Sequence, residues 1–181
     1  SGAATEIADV SPKAMVSLHA MDNGLLLHSI LSEDNGSLTY LVETLSLPDG
    51  QRRIVANEQV RDNSGTAISC VAAQGETIYT YEVQLTASAP EYRLSAYRAD
   101  GTPLDQYALD LADLLPTSGS PAQDSVIDLA VRGDCVLLHT LNARTRVLSL
   151  EEGKLRPVSV PLALEEDLSG GYRPLPQWDP D

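Results

Sequence analysis

Three turns, each an acidic residue followed by glycine, recur at an almost constant interval along the chain. Their glycines are residues 50, 101 and 153, which lie 51 and 52 residues apart. An acidic residue followed by glycine suits the turn of a tight β-hairpin, because glycine adopts positive φ without a Cβ clash. A second set of turn glycines, residues 24, 75 and 133, is spaced by 51 and 58 residues. The spacing predicts three copies of one unit, with the extra seven residues in the loop 116–123.

Each copy contains the same succession of short apolar segments and turns. The third copy, residues 126–160, divides into VIDLAV, CVLLHTL, TRVLSL and KLRPVSV, which are separated by three tight turns. The segments after the first turn of copies one and three, LLLHSI and VLLHTL, are nearly the same sequence. Alternation of apolar and polar residues in TIYTYEVQLT is typical of a strand with one exposed face. We therefore predict four strands per copy: 13–21, 25–31, 37–47 and 52–56; 67–73, 77–86, 91–98 and 103–109; and the four segments of copy three.

A four-stranded unit that recurs every 40 to 50 residues, roughly, is typical of a propeller blade. The chain resembles a β-propeller in this rhythm, although it has neither a WD dipeptide nor a kelch diglycine pattern. The resemblance implies an all-β fold of three consecutive four-stranded antiparallel blade-like sheets, a partial β-propeller, at about 13–56, 66–109 and 125–160. A polar crossover, 57–65, would separate the first two blades. The alternative is a meander or sandwich in which hairpins recur without propeller geometry.

Three blades do not close a ring, since propellers have about 4–8 blades. The sequence leaves three solutions: a piece of a longer propeller, a homodimer through the open blade ends, or capping by the chain's own tails. We favour the first. Residues 1–12 are small and polar and predict a tether, and 164–181 form a proline-rich tail in which the single tryptophan, Trp178, is expected to dock.

The tether resembles the segment that follows the lipidated cysteine of bacterial surface lipoproteins. That resemblance implies an extracellular protein anchored at the cell surface. Apolar runs never reach about 18 residues, so membrane insertion is not expected. The formal net charge is -14, from 12 Lys and Arg against 26 Asp and Glu. Such a surface repels phosphate backbones, which leaves a protein or glycan ligand, and no nucleic acid, as the expected partner.

Residues that could carry chemistry do not form a recognisable motif. His28 and His139 occupy matching positions in copies one and three, and His19 has no equivalent; we interpret all three as ordinary strand residues. The acidic loop at Glu33 does not fit the twelve-residue calcium pattern. Cys70 and Cys135 are expected to be buried free thiols, with a disulfide left open. The sequence therefore predicts no catalytic residues, no metal site, no cofactor and no enzymatic activity.

Loops between strands are the expected contact sites, because strands are fixed by packing whereas loops are free to vary. The hairpin loops at 32–37 and 87–91 are the candidates, and the residues predicted to bind are Glu33, Asp34, Asn35, Ser88 and Glu91. The resulting hypothesis is a non-enzymatic binding or scaffold module of a secreted or surface-anchored bacterial protein. One alternative is part of a larger propeller-type hydrolase or lyase whose catalytic residues lie outside this chain. The other is a structural spacer for a downstream domain.

Overall fold

The fold was obtained as a computed structural model, which describes residues 13–47, 49–109, 126–140, 145–151 and 154–158. Within those ranges the chain forms twelve β-strands and no helix. The strands are β1 (Ala14–Met21), β2 (Gly24–Ser32), β3 (Leu38–Ser46), β4 (Arg52–Arg61), β5 (Ser64–Gln74), β6 (Thr77–Leu85), β7 (Glu91–Arg98), β8 (Pro103–Leu109), β9 (Val126–Arg132), β10 (Cys135–Thr140), β11 (Thr145–Glu151) and β12 (Lys154–Pro157). The predicted tether, the loop 116–123 and the tail with Trp178 lie outside the described residues.

Within each of two sheets, every strand pairs antiparallel with its neighbours in sequence. The first eight form one hydrogen-bonded sheet in the order β1 to β8, and β9 to β12 form a second sheet in sequential order. The all-β prediction is confirmed, and each predicted strand coincides with an observed one to within a few residues. Nowhere in the described part of the chain is there a helix that could cross a membrane.

The prediction of three separate four-stranded sheets is wrong for the first two units, which share a sheet. The predicted crossover 57–65 is mostly strand: its first five residues extend β4 alongside β3. Asp62 and Asn63 alone form the turn, with φ of 52° and 59°. These two residue types tolerate positive φ and suit a two-residue hairpin. The polarity of the segment reflects partly solvent-exposed side chains and does not prevent strand pairing.

The junction between the two halves of the large sheet is short. β4 and β5 pair only through Val60 with Gly65 and Arg61 with Ser64. In contrast, β3 pairs with β4 from Leu38 to Leu45. The first eight strands are therefore two four-stranded meanders that are joined at one corner.

Two hydrophobic clusters hold the three meanders together. One lies between β1–β4 and β5–β8; the other joins β5–β8 to the second sheet. Leu26, Ile78 and Val136, which follow the first turn of the three copies, are each 0% exposed. The position after the first turn is thus a core position in all three predicted copies. Because these clusters bring sheets together, the first strands of the units also meet: β5 contacts both β1 and β9.

Because the strands follow one another in antiparallel order, alternate turns lie at opposite ends of the strands. One end carries the loops at 33–37 and 86–90 and the turn at Asp62, and we call this side of the sheet the loop edge. At the opposite edge, the backbone N–H of Leu47 donates to the Asn23 carbonyl across neighbouring turns, at 3.2 Å. The two loops predicted to bind a partner therefore lie on the same side of the molecule.

Candidate functional site

The β2–β3 loop is held in one conformation by its own polar groups. The backbone N–H of Ser37 donates to Oδ1 of Asn35 at 2.8 Å, and the Ser37 hydroxyl donates to the same oxygen at 2.6 Å. The backbone N–H of Gly36 donates to the Glu33 carbonyl at 3.0 Å, and Gly36 has a φ of 82°. An Asn side chain that bonds the backbone two residues on is a common way to fix a turn. Asn35 therefore shapes the loop.

Glu33 is an exposed carboxylate whose position is fixed by several donors. The Thr39 hydroxyl donates to it at 2.7 Å, and the Ser37 hydroxyl, at 3.2 Å, shares its one proton between Glu33 and Asn35. The side-chain amides of Asn35 and Gln59 add longer bonds of 3.4 and 3.5 Å. These bonds, with that from Thr39 the largest contribution, lower the pKa of Glu33. The side chain stays solvent-exposed and ionised, so it presents a negative charge in a defined place.

Asp34 is held much more loosely than Glu33. Among the described residues its side-chain partner is Lys13, whose Nζ lies 2.9 Å from Oδ1, and the Asp34 side chain is 94% exposed. An exposed pair of this kind is weak and is readily exchanged for another cation. Asp34 therefore remains available to a partner.

The β6–β7 loop is organised by Thr86. Its hydroxyl lies 3.1 Å from Oγ of Ser88 and donates to the Ala89 carbonyl at 2.6 Å. Ser88 and Glu91 are both exposed, and Glu91 is the first residue of β7. All five residues predicted to bind thus lie along the loop edge. Their role in binding stays a prediction.

The matching histidines do not come together in one site. Nδ1 of His139 lies 3.1 Å from the Thr145 hydroxyl on the neighbouring strand. His28 is 5% exposed and lines a cleft, together with His19. His139 behaves as an ordinary strand residue, as expected, whereas the surroundings of His28 and His19 were not foreseen.

This cleft, which we call the first-strand cleft, has a volume of about 380 Å³ and opens between β1, β2, β5 and β9. Its walls combine the first strands of all three units, and its apolar lining includes Met15 and Ile127. Sequence reasoning missed it because each strand contributes only a few of the lining residues. The sequence signal that could have revealed it is that β1, β5 and β9 are the first strands of the three predicted copies and so could be expected to lie side by side. The polar side chains that line it are Ser17, His19, His28, Ser69, Cys70 and Asp128.

Both cysteines are free, as expected, but only one is buried. Cys70 lies in the core, and burial raises the pKa of its thiol, with the negative charge of Asp128 adding to the rise. Cys135 is exposed, which corrects the prediction that both thiols are buried. Cys135 is the first residue of β10, beside a solvent-exposed turn, so the apolar residues that follow it do not cover it.

This difference predicts that a thiol reagent such as DTNB titrates one of the two cysteines in the native protein and both in denaturant. A protonated thiol in the core reacts only when the structure opens, whereas an exposed thiol is accessible throughout. Native Cys135→Ser should then show almost no rapid reaction. Rapid reaction of two thiols in the native protein would contradict the placement of Cys70.

Comparison with models of known protein families and with curated protein sequences gives no match for this chain. Across the described residues, no three His, Cys, Asp or Glu side chains are grouped so as to hold a metal ion. Function is therefore inferred from the geometry of the loop edge and the cleft.

Proposed function

We propose that this chain is a non-enzymatic binding module that contacts its partner through the loop edge. The observation that carries this proposal is the hydrogen-bonded β2–β3 loop, which holds the Glu33 carboxylate in place while leaving it exposed. Groups that are fixed before binding lose less conformational entropy in a complex, so a preorganised loop favours recognition. Ser88 and Glu91 extend the same edge with further exposed polar groups.

The charge of the edge favours a basic protein partner. Glu33, Asp34 and Glu91 are acidic, and the whole chain carries a formal charge of -14. Complementary charge steers association and selects against acidic partners, among them nucleic acids. A glycan would have to bind through hydroxyl groups to these same side chains and is the second outcome that an experiment must separate.

The arrangement of the three meanders supports a propeller-like architecture as part of this proposal. In a propeller the first strand of each blade lies nearest the axis, and here β5 contacts both β1 and β9. Three units are fewer than the roughly 4–8 of complete propellers. The proposed context is therefore a longer propeller of a bacterial protein anchored at the cell surface, with a homodimer through the open ends as the alternative.

The test is a screen of the protein on peptide and glycan arrays, followed by titration of any hit. We expect saturable binding to basic peptides, which Asp34→Ala and Glu91→Ala each weaken by about tenfold, the loss typical of a strong interface contact. Asp22→Ala is the matched control, because it removes the same charge from an exposed turn at the opposite edge. Replacing residues 32–37 by a short turn should abolish binding.

Other outcomes would favour the other hypotheses. Binding to glycans that depends on the same residues would keep the site and change the partner. Absence of any binding, with a thermal melt that no ligand alters, would favour a structural spacer. Turnover of a sugar or ester substrate by a longer protein that contains this chain would favour the hydrolase or lyase.

A further inference from the structure

The first-strand cleft contains a polar atom that the fold leaves without a partner. Among the side chains that the structure describes, Nε2 of His28 is the buried nitrogen or oxygen for which no hydrogen bond is found. Buried polar groups in native proteins are nearly always paired, so an exception calls for an explanation. Because His28 lines the cleft, a ligand bound there could supply the missing partner.

The other ring nitrogen determines what that ligand must offer. The Ile68 backbone opposes the fall in the pKa of His28, as a carbonyl that accepts a hydrogen bond from the ring does. Because Nε2 has no partner, we assign the ring proton to Nδ1. Burial, followed by the neighbouring His19, lowers the pKa of His28 and keeps the ring neutral near pH 7. Nε2 then carries a lone pair and can only accept a hydrogen bond.

The remaining charge in the cleft is negative. Burial also lowers the pKa of His19, which leaves it neutral, and the Asp128 carboxylate opposes that shift. The negative charge of Asp128 also raises the pKa of the Cys70 thiol, on β5 across the cleft. Among the residues that the structure describes, no Lys or Arg lines the cleft. Met15 and Ile127, which are 70% and 42% exposed, supply apolar walls.

We propose that the first-strand cleft binds a small organic cation, a protonated amine with an apolar body. Its N–H donates to Nε2 of His28, its charge is balanced by Asp128, and its carbon chain lies against Met15 and Ile127. A metal ion is disfavoured by the lack of three grouped ligands among the described side chains. Less than 1 Å² of Nε2 is open to solvent, so binding requires a small turn of the ring, which the broad χ2 well of histidine allows.

The test uses butylammonium as the probe and 1-butanol as its uncharged counterpart. The signals of the His28 ring are followed by long-range ¹H–¹⁵N NMR near neutral pH. We expect butylammonium, but not butanol or sodium chloride, to shift the Nε2 resonance in a saturable way. An affinity in the millimolar range is expected for so small a ligand.

Asp128→Asn and His28→Asn should each weaken binding by about tenfold, the size of a lost charge contact or hydrogen bond. The matched control is Asp134→Asn, which removes the same charge from an exposed turn beside β9 and should not alter binding. Equal binding of amine and alcohol, no saturable shift up to tens of millimolar, or full affinity in Asp128→Asn would each overturn the proposal. The wild-type titration decides even if His28→Asn fails to fold.

Discussion

Replacing Arg93 by methionine is expected to lower the free energy of unfolding by about 3 kcal/mol. Arg93 on β7 is the counter-ion of Glu82 on β6, with Nε and Oε2 2.5 Å apart. The Glu82 side chain is 1% exposed and that of Arg93 28%. Removing the arginine leaves a charge buried without its partner, and such losses cost about 3–5 kcal/mol. The lower end is expected because Arg93 is partly solvated. Equilibrium denaturation in urea measures the effect.

The network around Glu82 explains why the carboxylate is buried at all. The Thr80 hydroxyl donates to Oε1 at 2.6 Å, and the Tyr97 hydroxyl donates to the same oxygen at 3.2 Å. Glu58 on β4 lies close enough for the charge of Glu82, after burial, to raise the pKa of Glu58. The pair therefore sits where the second meander faces the first, and its loss affects the packing of both.

Two further variants make this prediction decisive. Glu82→Met combined with Arg93→Met should recover only part of the loss. The apolar pair carries no buried charge, but the hydroxyls of Thr80 and Tyr97 lose their acceptor. Lys13→Met removes one partner of an exposed pair and should cost no more than about 1 kcal/mol. A loss in Arg93→Met no greater than that in Lys13→Met would show that Glu82 is not buried as described.

Gly65→Ala is expected to cost about 3 kcal/mol, through backbone strain and a steric clash. Gly65 has a φ of +119°, which L-residues with a Cβ rarely adopt. A Cβ at this position would clash with the carbonyl oxygen of Gln59, which is backbone and cannot rotate away. Either β4 and β5 must separate at their short junction, or the turn at Asp62 must rearrange. Thermal or urea denaturation measures the loss.

Gly75→Ala is the matched control for this substitution. Gly75 also has positive φ, at +59°, but no atom lies within 4 Å of the Cβ that alanine would add. Only the intrinsic cost of the left-handed conformation applies, about 1 kcal/mol. Equal losses for the two alanine variants would mean that β4 and β5 do not approach as closely at Gly65 as the fold requires.

The strands and most turns could be predicted from the sequence because their causes are local. β7 and β8 begin and end where the alternation and the flanking turn residues predict. The β4–β5 junction could not be predicted in the same way. The polar residues of 57–61 are typical of a connection, and only their pairing with β3 makes them strand.

The candidate sites could likewise be predicted only in part from the sequence. A hairpin loop at 33–37 follows from its glycine, asparagine and acidic residues, which favour turns wherever they occur. That Thr39 and Gln59 fix the Glu33 carboxylate depends on strands that fold back beside the loop. The exposure of Cys135 follows from its place at the start of β10, beside the predicted turn at Gly133, and the apolar residues that follow it in sequence were misleading.

The sequence by itself determined where most of the antiparallel strands form, since side-chain alternation and turn geometry act over a few residues. Tertiary structure alone decided how the strands join into two sheets and what lies between them. Ser17, Cys70 and Asp128 are each more than 50 residues from the next along the chain, yet they line one cleft. Their proximity results from the packing of Leu26, Ile78 and Val136 into shared cores, and hydrophobic burial is non-directional and leaves no local pattern from which a partner can be identified.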